Sequence, residues 1–330
     1  MVSMPLSDPI VAWALHDGKA GMASQSLGLA EATGFRVVEK PLEIHFPWRC
    51  LPPALWPRPL SAVLREAAHL VPPWPDLVVA CGRNAVLPAL AIRRAGGGRI
   101  VAAQIQDPRI RRSEFDLLVV PEHDGWRGPR VLVTRGAVHR VTAARLAAER
   151  RRFPALAALP RPVVAVLIGG ANKTYRLSLR RLAAIADEVA AALSASRGSL
   201  LLTPSRRTGE RGLALLRQRL GGFPGSIWDG AGDNPYFAYL AFADALLVTA
   251  DSVSMISEAA ATGKPVHILG LDGGNGKFAR FHAAMQAAGI TRPFRGAIEA
   301  WSYAIPDDTA RAGAALRALV LERREQRAAA

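Results

Sequence analysis

Short apolar segments alternate with helix-like segments along most of the chain. The pattern predicts strands at 10–17, 36–43, 76–82, 99–106, 115–122, 130–136, 163–170, 199–205, 226–229, 245–250 and 264–269. Helices are predicted between them, and the clearest cover 21–34 and 178–198. Strands that are apolar throughout and separated by helices are typical of parallel sheets covered on both faces.

A segment rich in Pro and small residues, 153–162, interrupts this alternation, which then starts again. We therefore predict an α/β protein with two Rossmann-like domains, at 1–155 and 156–330. A chain of 330 residues is long enough for two hydrophobic cores. The final helix, from Thr309, is assigned to the second domain, with the alternative that it packs back on the first.

The chain is strongly basic, with 42 Lys and Arg against 27 Asp and Glu and a net charge of +15. Such a charge attracts anions, which include nucleic acid, an anionic membrane face and phosphorylated substrates. The alternative is a general bias of composition towards Arg. Aromatic residues make up only 6% of the chain and no nucleic-acid-binding module is recognised. We therefore expect no specific nucleic-acid partner.

Other residue patterns argue against several classes of protein. The two cysteines lie outside any CxxC motif and the seven histidines are scattered, so no metal site is predicted. No apolar window is long enough to span a bilayer, and the first residues lack the features of a signal peptide. The expected location is cytoplasmic, or peripheral on the inner membrane.

The segment LIGGANKTYRLS follows a predicted strand and precedes a helix, and it contains Gly169, Gly170, Asn172 and Lys173. In open parallel sheets, ligands bind beyond the carboxyl ends of the strands. Glycines allow close backbone approach, and free amides at the start of a helix favour a phosphate. The alternative is a tight turn that needs small residues.

The segment TPSRRTG supplies Ser205 and two cations, Arg206 and Arg207, at the end of another strand. Guanidinium groups suit the oxygens of a diphosphate. The alternative is a pair of solvated surface arginines, which are common in so basic a chain.

The segment TADSVSMISEAAATGKP joins a strand to a short helix. Asp251 or Ser252 can cap this helix, and the backbone amides from Ser252 through Ser254 to Met255 would face a ligand. Glu258 lies on the first or second turn, where a carboxylate can accept the hydroxyl hydrogens of a ribose. The alternative is that the polar residues only cap the helix and that Glu258 only complements its dipole.

The segment HDGKAG follows the first strand. His16 and Asp17 are candidates for a catalytic base and the group that orients it. Lys19 and the neighbouring glycines are candidates for contact with an anion. The alternative is that His16 is an ordinary polar residue of a turn.

Four segments together resemble one known family: HDGKAGMASQSLGLAEATG, LIGGANKTYRLS, TPSRRTG and NPYFAYLAFADALLVTADSVSMISEAAATGKPV. They resemble the bacterial branch of the elongated-mitochondria family, whose plant member is named as a mitochondrial fission factor. The resemblance extends from about Trp13 to Leu271. That family is grouped with the GT-B glycosyltransferases, which implies two Rossmann-like domains with parallel sheets facing a central cleft.

The resemblance also implies roles for parts of the chain. An acceptor site would lie in the first domain and a nucleotide-sugar donor site in the second. The acid at Glu258 would hold the ribose, and the GGANK loop would contact the diphosphate. His16 and Asp17 are the candidates for catalysis, although no base is transferred from the family.

These observations predict a metal-independent GT-B glycosyltransferase of the hexosyltransferase kind, without a cofactor. It would transfer a sugar from a nucleoside-diphosphate sugar to a lipid or cell-envelope acceptor at an anionic membrane surface. One alternative is a sugar-nucleotide epimerase on the same fold. The other is a non-catalytic peripheral membrane or partner-binding protein, as the fission name suggests.

Overall fold

The computed structural model describes residues 9–52, 55–56, 58–64 and 69–329. The chain divides into two compact units. The first comprises Met1–Arg140 and Asp307–Ala330, and the second comprises Val141–Pro306. Residues 1–8, part of the N-terminal segment that lacks the features of a signal peptide, lie outside the described residues.

The first unit is built on a six-stranded parallel sheet. Its strands are β1 (Val11–His16), β2 (Arg36–Pro41), β3 (Leu77–Cys81), β4 (Val101–Ile105), β5 (Leu117–Pro121) and β6 (Val131–Thr134), in the order β2-β1-β3-β4-β5-β6. Its helices are α1 (Ala20–Glu31), α2 (Val86–Ala95) and the C-terminal α9 (Asp308–Ala328). All six predicted strands of this unit are confirmed to within three residues at each end.

Alternate residues of β1 enter different cores, as expected for a strand covered on both faces. Trp13 and Leu15 pack with α2, whereas Ala12 and Ala14 pack with α1 and α9. All four are 5% exposed or less. This two-sided burial explains why the strands are apolar throughout rather than alternating with polar residues.

The C-terminal helix α9 belongs to the first unit. The hydroxyl of Thr309 accepts a hydrogen bond from the backbone N–H of His139, and Arg317 donates to the carbonyl of Thr33. A Cβ on Gly313 would lie 2.5 Å from the Cβ of Ala32, so a residue without a side chain is needed where α9 meets α1. The chain therefore returns to the first unit after completing the second.

The second unit is also built on a six-stranded parallel sheet. Its strands are β7 (Val163–Ile168), β9 (Ser199–Pro204), β10 (Gly225–Ile227), β11 (Ala245–Thr249), β12 (Val266–Leu269) and β14 (Thr291–Pro293), in the order β10-β9-β7-β11-β12-β14. A separate antiparallel pair joins β8 (Tyr175–Arg176) to β13 (Asp272–Gly273). The helices are α3 (Ala143–Arg152), α4 (Leu179–Ser196), α5 (Gly209–Leu220), α6 (Tyr236–Phe242), α7 (Val253–Ala260) and α8 (Gly276–Ala287).

The division of the chain falls before α3, not at residue 155 as the Pro-rich segment suggested. The side chain of Arg150 donates two hydrogen bonds to the carbonyl of Ala241, the penultimate residue of α6. Leu146 packs against the core of the second unit, as do Phe153 and Leu156 after it. The segment 153–162 therefore lies within the second unit rather than between units.

Short strands escaped the sequence pattern. β8 and β13 are two residues each, and β14 is three. Such short strands offer little alternation or apolar sequence to recognise, although β10, which is also three residues long, was predicted at 226–229. In the described part of the chain, no helix is both long and apolar enough to cross a bilayer.

Candidate functional site

Four loops of the second unit follow strands that are neighbours in its sheet. β9, β7, β11 and β12 are adjacent and parallel, so their carboxyl ends share one edge. The loops that follow them contain Ser205–Arg207, Gly169–Lys173, Asp251–Ser252 and Gly270–Asn275, respectively. Three of these loops carry residues that were predicted to bind a ligand, and the structure brings these residues together.

Asp251 ties three of the loops to one another. Its Oδ2 atom accepts a hydrogen bond of 3.1 Å from the backbone N–H of Gly170 and lies 2.7 Å from Nη2 of Arg207. Its Oδ1 atom accepts from the hydroxyl of Thr249 over 2.7 Å. The carboxylate is fully buried. Asp251 therefore has protein partners on the loops after β7 and β9, and it does not cap α7.

Gly169 and Gly170 permit this contact. A Cβ on Gly169 would lie 2.2 Å from Oδ1 of Asp251, and one on Gly170 would lie 2.6 Å from the backbone of Arg207. Both distances are too short for real contacts, so any side chain would push the loops apart. The close approach predicted for these glycines is thus made to protein groups of neighbouring loops.

The three predicted cations have different surroundings. Arg207 points inward, where it also donates to the carbonyl oxygens of Gly170 and Ala171. Lys173 and Arg206 are exposed and make no hydrogen bond or ion pair with any described residue. The positive charge that is free to meet an anion therefore comes from Lys173 and Arg206.

Asn172 and Ser205 shape the loops that carry those cations. Oδ1 of Asn172 accepts from the backbone N–H groups of Thr174 and Tyr175, both over 2.8 Å. The hydroxyl of Ser205 donates to the carbonyl of Gly169 over 2.8 Å. Both side chains satisfy backbone groups that the turns would otherwise leave unpaired.

The start of α7 has one of the two predicted caps. Ser252 is the N-cap, and its hydroxyl accepts a hydrogen bond of 3.3 Å from the backbone N–H of Met255. Ser254 lies in the first turn and is partly buried, and the Met255 side chain packs against the core. The helix α7 thus begins at the same sheet edge as the loops with Lys173 and Arg206, and its first backbone N–H groups lie at that edge.

Glu258 lies in the second turn of α7 and is only 5% exposed. Its Oε2 atom accepts a hydrogen bond of 2.6 Å from the hydroxyl of Tyr236, the first residue of α6. Burial, together with the charge of Glu258, raises the pKa of Tyr236 well above its ordinary value. The hydroxyl therefore stays protonated and donates. Tyr236 was missed as a site residue, although it directly follows a polar, Gly-containing loop.

The loop after β12 was also missed. Its sequence, DGGNGK, is rich in glycine, and Asn275 caps α8 by accepting from the backbone N–H of Phe278. Nδ2 of Asn275 donates to the hydroxyl of Thr174, and the N–H of Gly274 donates to its carbonyl. The loop after β12 therefore contacts the GGANK loop through Thr174. Its glycine-rich sequence was the signal that could have identified it.

The loop after β1 in the first unit holds His16, Asp17 and Lys19. Nδ1 of His16 accepts from the backbone N–H of Gly18 over 3.1 Å, so Nε2 carries the proton and donates to Glu39 over 2.9 Å. The partner of the imidazole is therefore Glu39 and not Asp17. Asp17 instead pairs with the side chain of Lys19, which is largely exposed.

No group of three or more His, Cys, Asp or Glu side chains suited to a metal ion occurs among the residues that the structure describes. Among the described residues at this sheet edge, Lys173 and Arg206 are exposed cations, Arg207 is paired with the buried Asp251, and the loop after β12 carries the exposed Asp272. This arrangement offers positive charge and helix amides to an anion, and one buried carboxylate to hydroxyl donors.

Solved structures with a similar fold extend over almost the whole chain. The UDP-GlcNAc 2-epimerase from Methanocaldococcus jannaschii matches with a TM-score of 0.57 and 11% identity, covering 95% of this chain and 99% of that one. The glycosyltransferase SnogD from Streptomyces nogalater matches with a TM-score of 0.53 and 14% identity, covering 95% of both chains. At these identities the likeness concerns the fold, which is of the GT-B type, as predicted.

Two relatives are similar in sequence. The mitochondrial fission protein ELM1 of Arabidopsis thaliana is 35% identical over 271 residues, which cover 74% of this chain and 63% of the plant protein. This chain thus spans less than two thirds of that relative. An uncharacterised protein of the bacterium Rickettsia prowazekii is 24% identical over 298 residues, covering 78% of this chain and 82% of that protein.

The family described as Mitochondrial fission ELM1 matches residues 20–320, which include the GGANK loop, the Arg pair and all of α7. The match extends over most of both units. The chain belongs to the Mitochondrial fission ELM1 family.

Proposed function

We propose that the second unit binds a nucleoside-diphosphate sugar and that the protein transfers the sugar to a hydroxyl of a lipid or cell-envelope acceptor. The observation that carries this proposal is the buried carboxylate of Glu258, held by Tyr236 one turn after the capped start of α7. A buried carboxylate is costly unless it has hydrogen-bond donors. The two vicinal hydroxyls of a ribose are such donors.

The diphosphate would contact two exposed cations and the start of α7. Lys173 and Arg206 are exposed on loops that Asp251 and Arg207 tie together, so their backbones hold a defined position. The early N–H groups of α7 add the partial positive charge of a helix start. Preorganised cations and amides of this kind stabilise charge that develops on a leaving group, so no metal is needed.

The transfer itself is a substitution at the anomeric carbon of the sugar. The acceptor oxygen forms the new bond, the bond to the diphosphate breaks, and the nucleoside diphosphate leaves with the electron pair. The acceptor proton must pass to a base. The sequence candidates for this base, His16 and Asp17 of the first unit, both have protein partners, so neither is assigned as the base: His16 bonds Glu39 and Gly18, and Asp17 pairs with Lys19.

A thermal-shift screen with UDP, GDP, CDP, ADP, dTDP and CMP tests the binding step, since a ligand of the folded state raises its stability. We expect one nucleotide to raise the unfolding temperature of the wild-type protein. Glu258→Gln keeps the size of the side chain and an acceptor for Tyr236. It should lower the affinity for that nucleotide by about tenfold or more, because hydrogen bonds to a charged group are lost. The matched control, Glu210→Gln, changes an exposed acid at the start of α5 and should have no effect.

NMR of the sugar ring, with the nucleotide sugar that the screen selects, tests the reaction. Appearance of sugar on an added acceptor, together with free nucleoside diphosphate, supports transfer. Inversion of one ring carbon without any acceptor would instead identify an epimerase. Binding without turnover by either route would contradict the catalytic part of the proposal and leave the nucleotide site standing.

A further inference from the structure

One segment of the first unit exposes large apolar side chains. The described residues of the segment IHFPWRCLPPALWPRPLSAVL, which are 44–52, 55–56 and 58–64, are here named the apolar loop. The side chains of Phe46 and Leu55 are 70% and 62% exposed, and Leu51 is exposed as well. Large apolar side chains grouped on a surface are typical of contact with a protein or a membrane.

The apolar loop is held in place by its own side chains. Trp56 is buried, and its ring N–H donates to the carbonyl of Trp48 over 3.1 Å. Ile44 and Val63 form an antiparallel bridge where the loop leaves and rejoins the rest of the unit. Phe46 lies two residues after Ile44 of this bridge, so the exposed side chain is carried by an ordered part of the chain.

His45 also holds the two ends of the apolar loop together. Its Nδ1 and Nε2 atoms each lie 2.7 Å from a carbonyl oxygen, of Phe46 and Ser61 respectively. Carbonyl oxygens only accept, so both ring nitrogens donate and the imidazole carries a positive charge in this geometry. The carbonyl of Ser61, and then that of Phe46, raise the pKa of His45.

The charge of the apolar loop has one sign. Arg49 and Arg58 are exposed and make no ion pair with any described residue, and the whole stretch from 44 to 64 contains no Asp or Glu. Along the sequence, exposed apolar residues therefore alternate with cations, and no acid lies between them. This combination is complementary to the interface of an anionic bilayer, where apolar chains lie beneath negative headgroups.

We propose that the apolar loop docks the first unit on an anionic lipid bilayer, with Phe46, Leu51 and Leu55 entering the interface and Arg49 and Arg58 contacting headgroups. Trp48 is partly buried and lies between Phe46 and Arg49 in the sequence, and tryptophan favours the boundary between water and hydrocarbon. The inference does not depend on nucleotide binding in the second unit.

Cys50 allows a direct test. It is exposed in the apolar loop, whereas Cys81, the other cysteine, is fully buried, so a thiol-reactive fluorophore will label Cys50 selectively. With vesicles of phosphatidylcholine and phosphatidylglycerol, we expect the emission of the label to shift to shorter wavelength. Vesicles of phosphatidylcholine alone should give a much smaller shift. No shift with the anionic vesicles would overturn the proposal.

Vesicle sedimentation of unlabelled variants identifies the residues. The double variant Phe46→Ser/Leu55→Ser should lower affinity for anionic vesicles by about tenfold or more, because each side chain contributes apolar area. Arg49→Glu/Arg58→Glu should lower it by about tenfold or more as well, and its remaining binding should depend less on salt. The matched controls are the double variants Ile305→Ser/Leu179→Ser and Arg295→Glu/Arg211→Glu, which change exposed residues of the second unit.

All variants alter exposed side chains, so we expect circular dichroism and the unfolding temperature to match the wild type. Controls that reduce binding as much as the loop variants would overturn the proposal, because general charge or stickiness would then explain it. A dimer in sedimentation velocity that the Phe46→Ser/Leu55→Ser variant dissociates would also contradict it, since the occupant would be a second copy of the chain.

Discussion

Arg207 and Asp251 form an ion pair between neighbouring loops, with Nη2 of the arginine 2.7 Å from Oδ2 of the aspartate. The aspartate side chain is fully buried, whereas the arginine remains partly exposed. Only one of the two adjacent arginines makes this contact, and Arg206 is exposed beside it. One residue of the pair therefore holds the loops together, and the other is available to a ligand.

Replacing the two arginines separately should distinguish these roles. Arg207→Ala leaves a buried carboxylate without its cation, and we expect the free energy of unfolding to fall by about 2 kcal/mol, less than for a fully buried pair because Arg207 reaches solvent. Arg206→Ala should change it by less than about 0.5 kcal/mol. Urea unfolding measures both, and equal losses of stability in the two variants would contradict this division.

Nucleotide titration tests the other role, because Arg206→Ala should bind the nucleotide more weakly than the wild type.

Gly169 should tolerate no side chain. Gly169→Ala places a Cβ where it would lie 2.2 Å from Oδ1 of Asp251, and we expect a loss of about 1–3 kcal/mol in unfolding free energy from the forced displacement. Gly222→Ala is the matched control, because a Cβ there has no atom within 4 Å. Thermal unfolding of both variants is the measurement. A Gly169→Ala protein as stable as the control would show that the loops are not packed as described.

Tyr236 should affect both stability and binding. Tyr236→Phe removes the hydroxyl that donates to Glu258. Because the buried carboxylate then loses a hydrogen bond, we expect the free energy of unfolding to fall by about 1.5–3 kcal/mol. Nucleotide affinity should fall too, because the carboxylate loses a group that orients it. Tyr303→Phe is a useful comparison, since its hydroxyl donates to the carbonyls of Ala260 and Lys264.

Calorimetric titration of these two tyrosine variants separates positioning from stability. Tyr303→Phe should lower the unfolding temperature while leaving nucleotide affinity unchanged. If both variants lost affinity equally, the effect of Tyr236 would be one of general stability, and its role beside Glu258 would be refuted.

Acid should destabilise the second unit through His267. This side chain is 1% exposed on β12, its ring contacts the edges of Phe294 and Trp301, and burial lowers its pKa below 6.5. Because the unfolded chain then binds a proton at higher pH than the folded one, the unfolding free energy is unaffected above 6.5 and falls as pH decreases below it. Urea unfolding over this range measures the slope.

His267→Gln should flatten that slope without abolishing it, since burial also lowers the pKa of His282. His69→Gln, at an exposed position of the first unit, serves as the control. An unchanged slope in His267→Gln would mean that the ring is not kept neutral by burial.

The sheets and the cap of α7 were predictable because their signals are local. Apolar runs such as 163–168 and 199–204 identify buried parallel strands without knowledge of their neighbours. Ser252 was one of two predicted caps, and its hydroxyl needs only an amide three residues away. The alternation of these elements predicts two Rossmann-like domains, whereas the GT-B fold was implied by the resemblance to a known family.

The partners of the site residues were not predictable in the same way. Arg206 and Arg207 are equivalent as sequence, and only the loop after β7 decides which one turns inward. His16 donates a hydrogen bond to Glu39 on β2, which lies 23 residues away, and no spacing rule predicts such a contact. The boundary between the units was misplaced because prolines mark a break in regular structure, whereas the packing of α3 decides its unit.

The most direct test of the nucleotide site is a crystal structure of the protein with the nucleoside diphosphate that the thermal screen selects. We predict the two ribose hydroxyls within hydrogen-bond distance of the Glu258 carboxylate, and the phosphates against the first amides of α7 with Lys173 or Arg206 in contact. A nucleotide bound elsewhere, or one whose ribose does not reach Glu258, would contradict the assignment of this site.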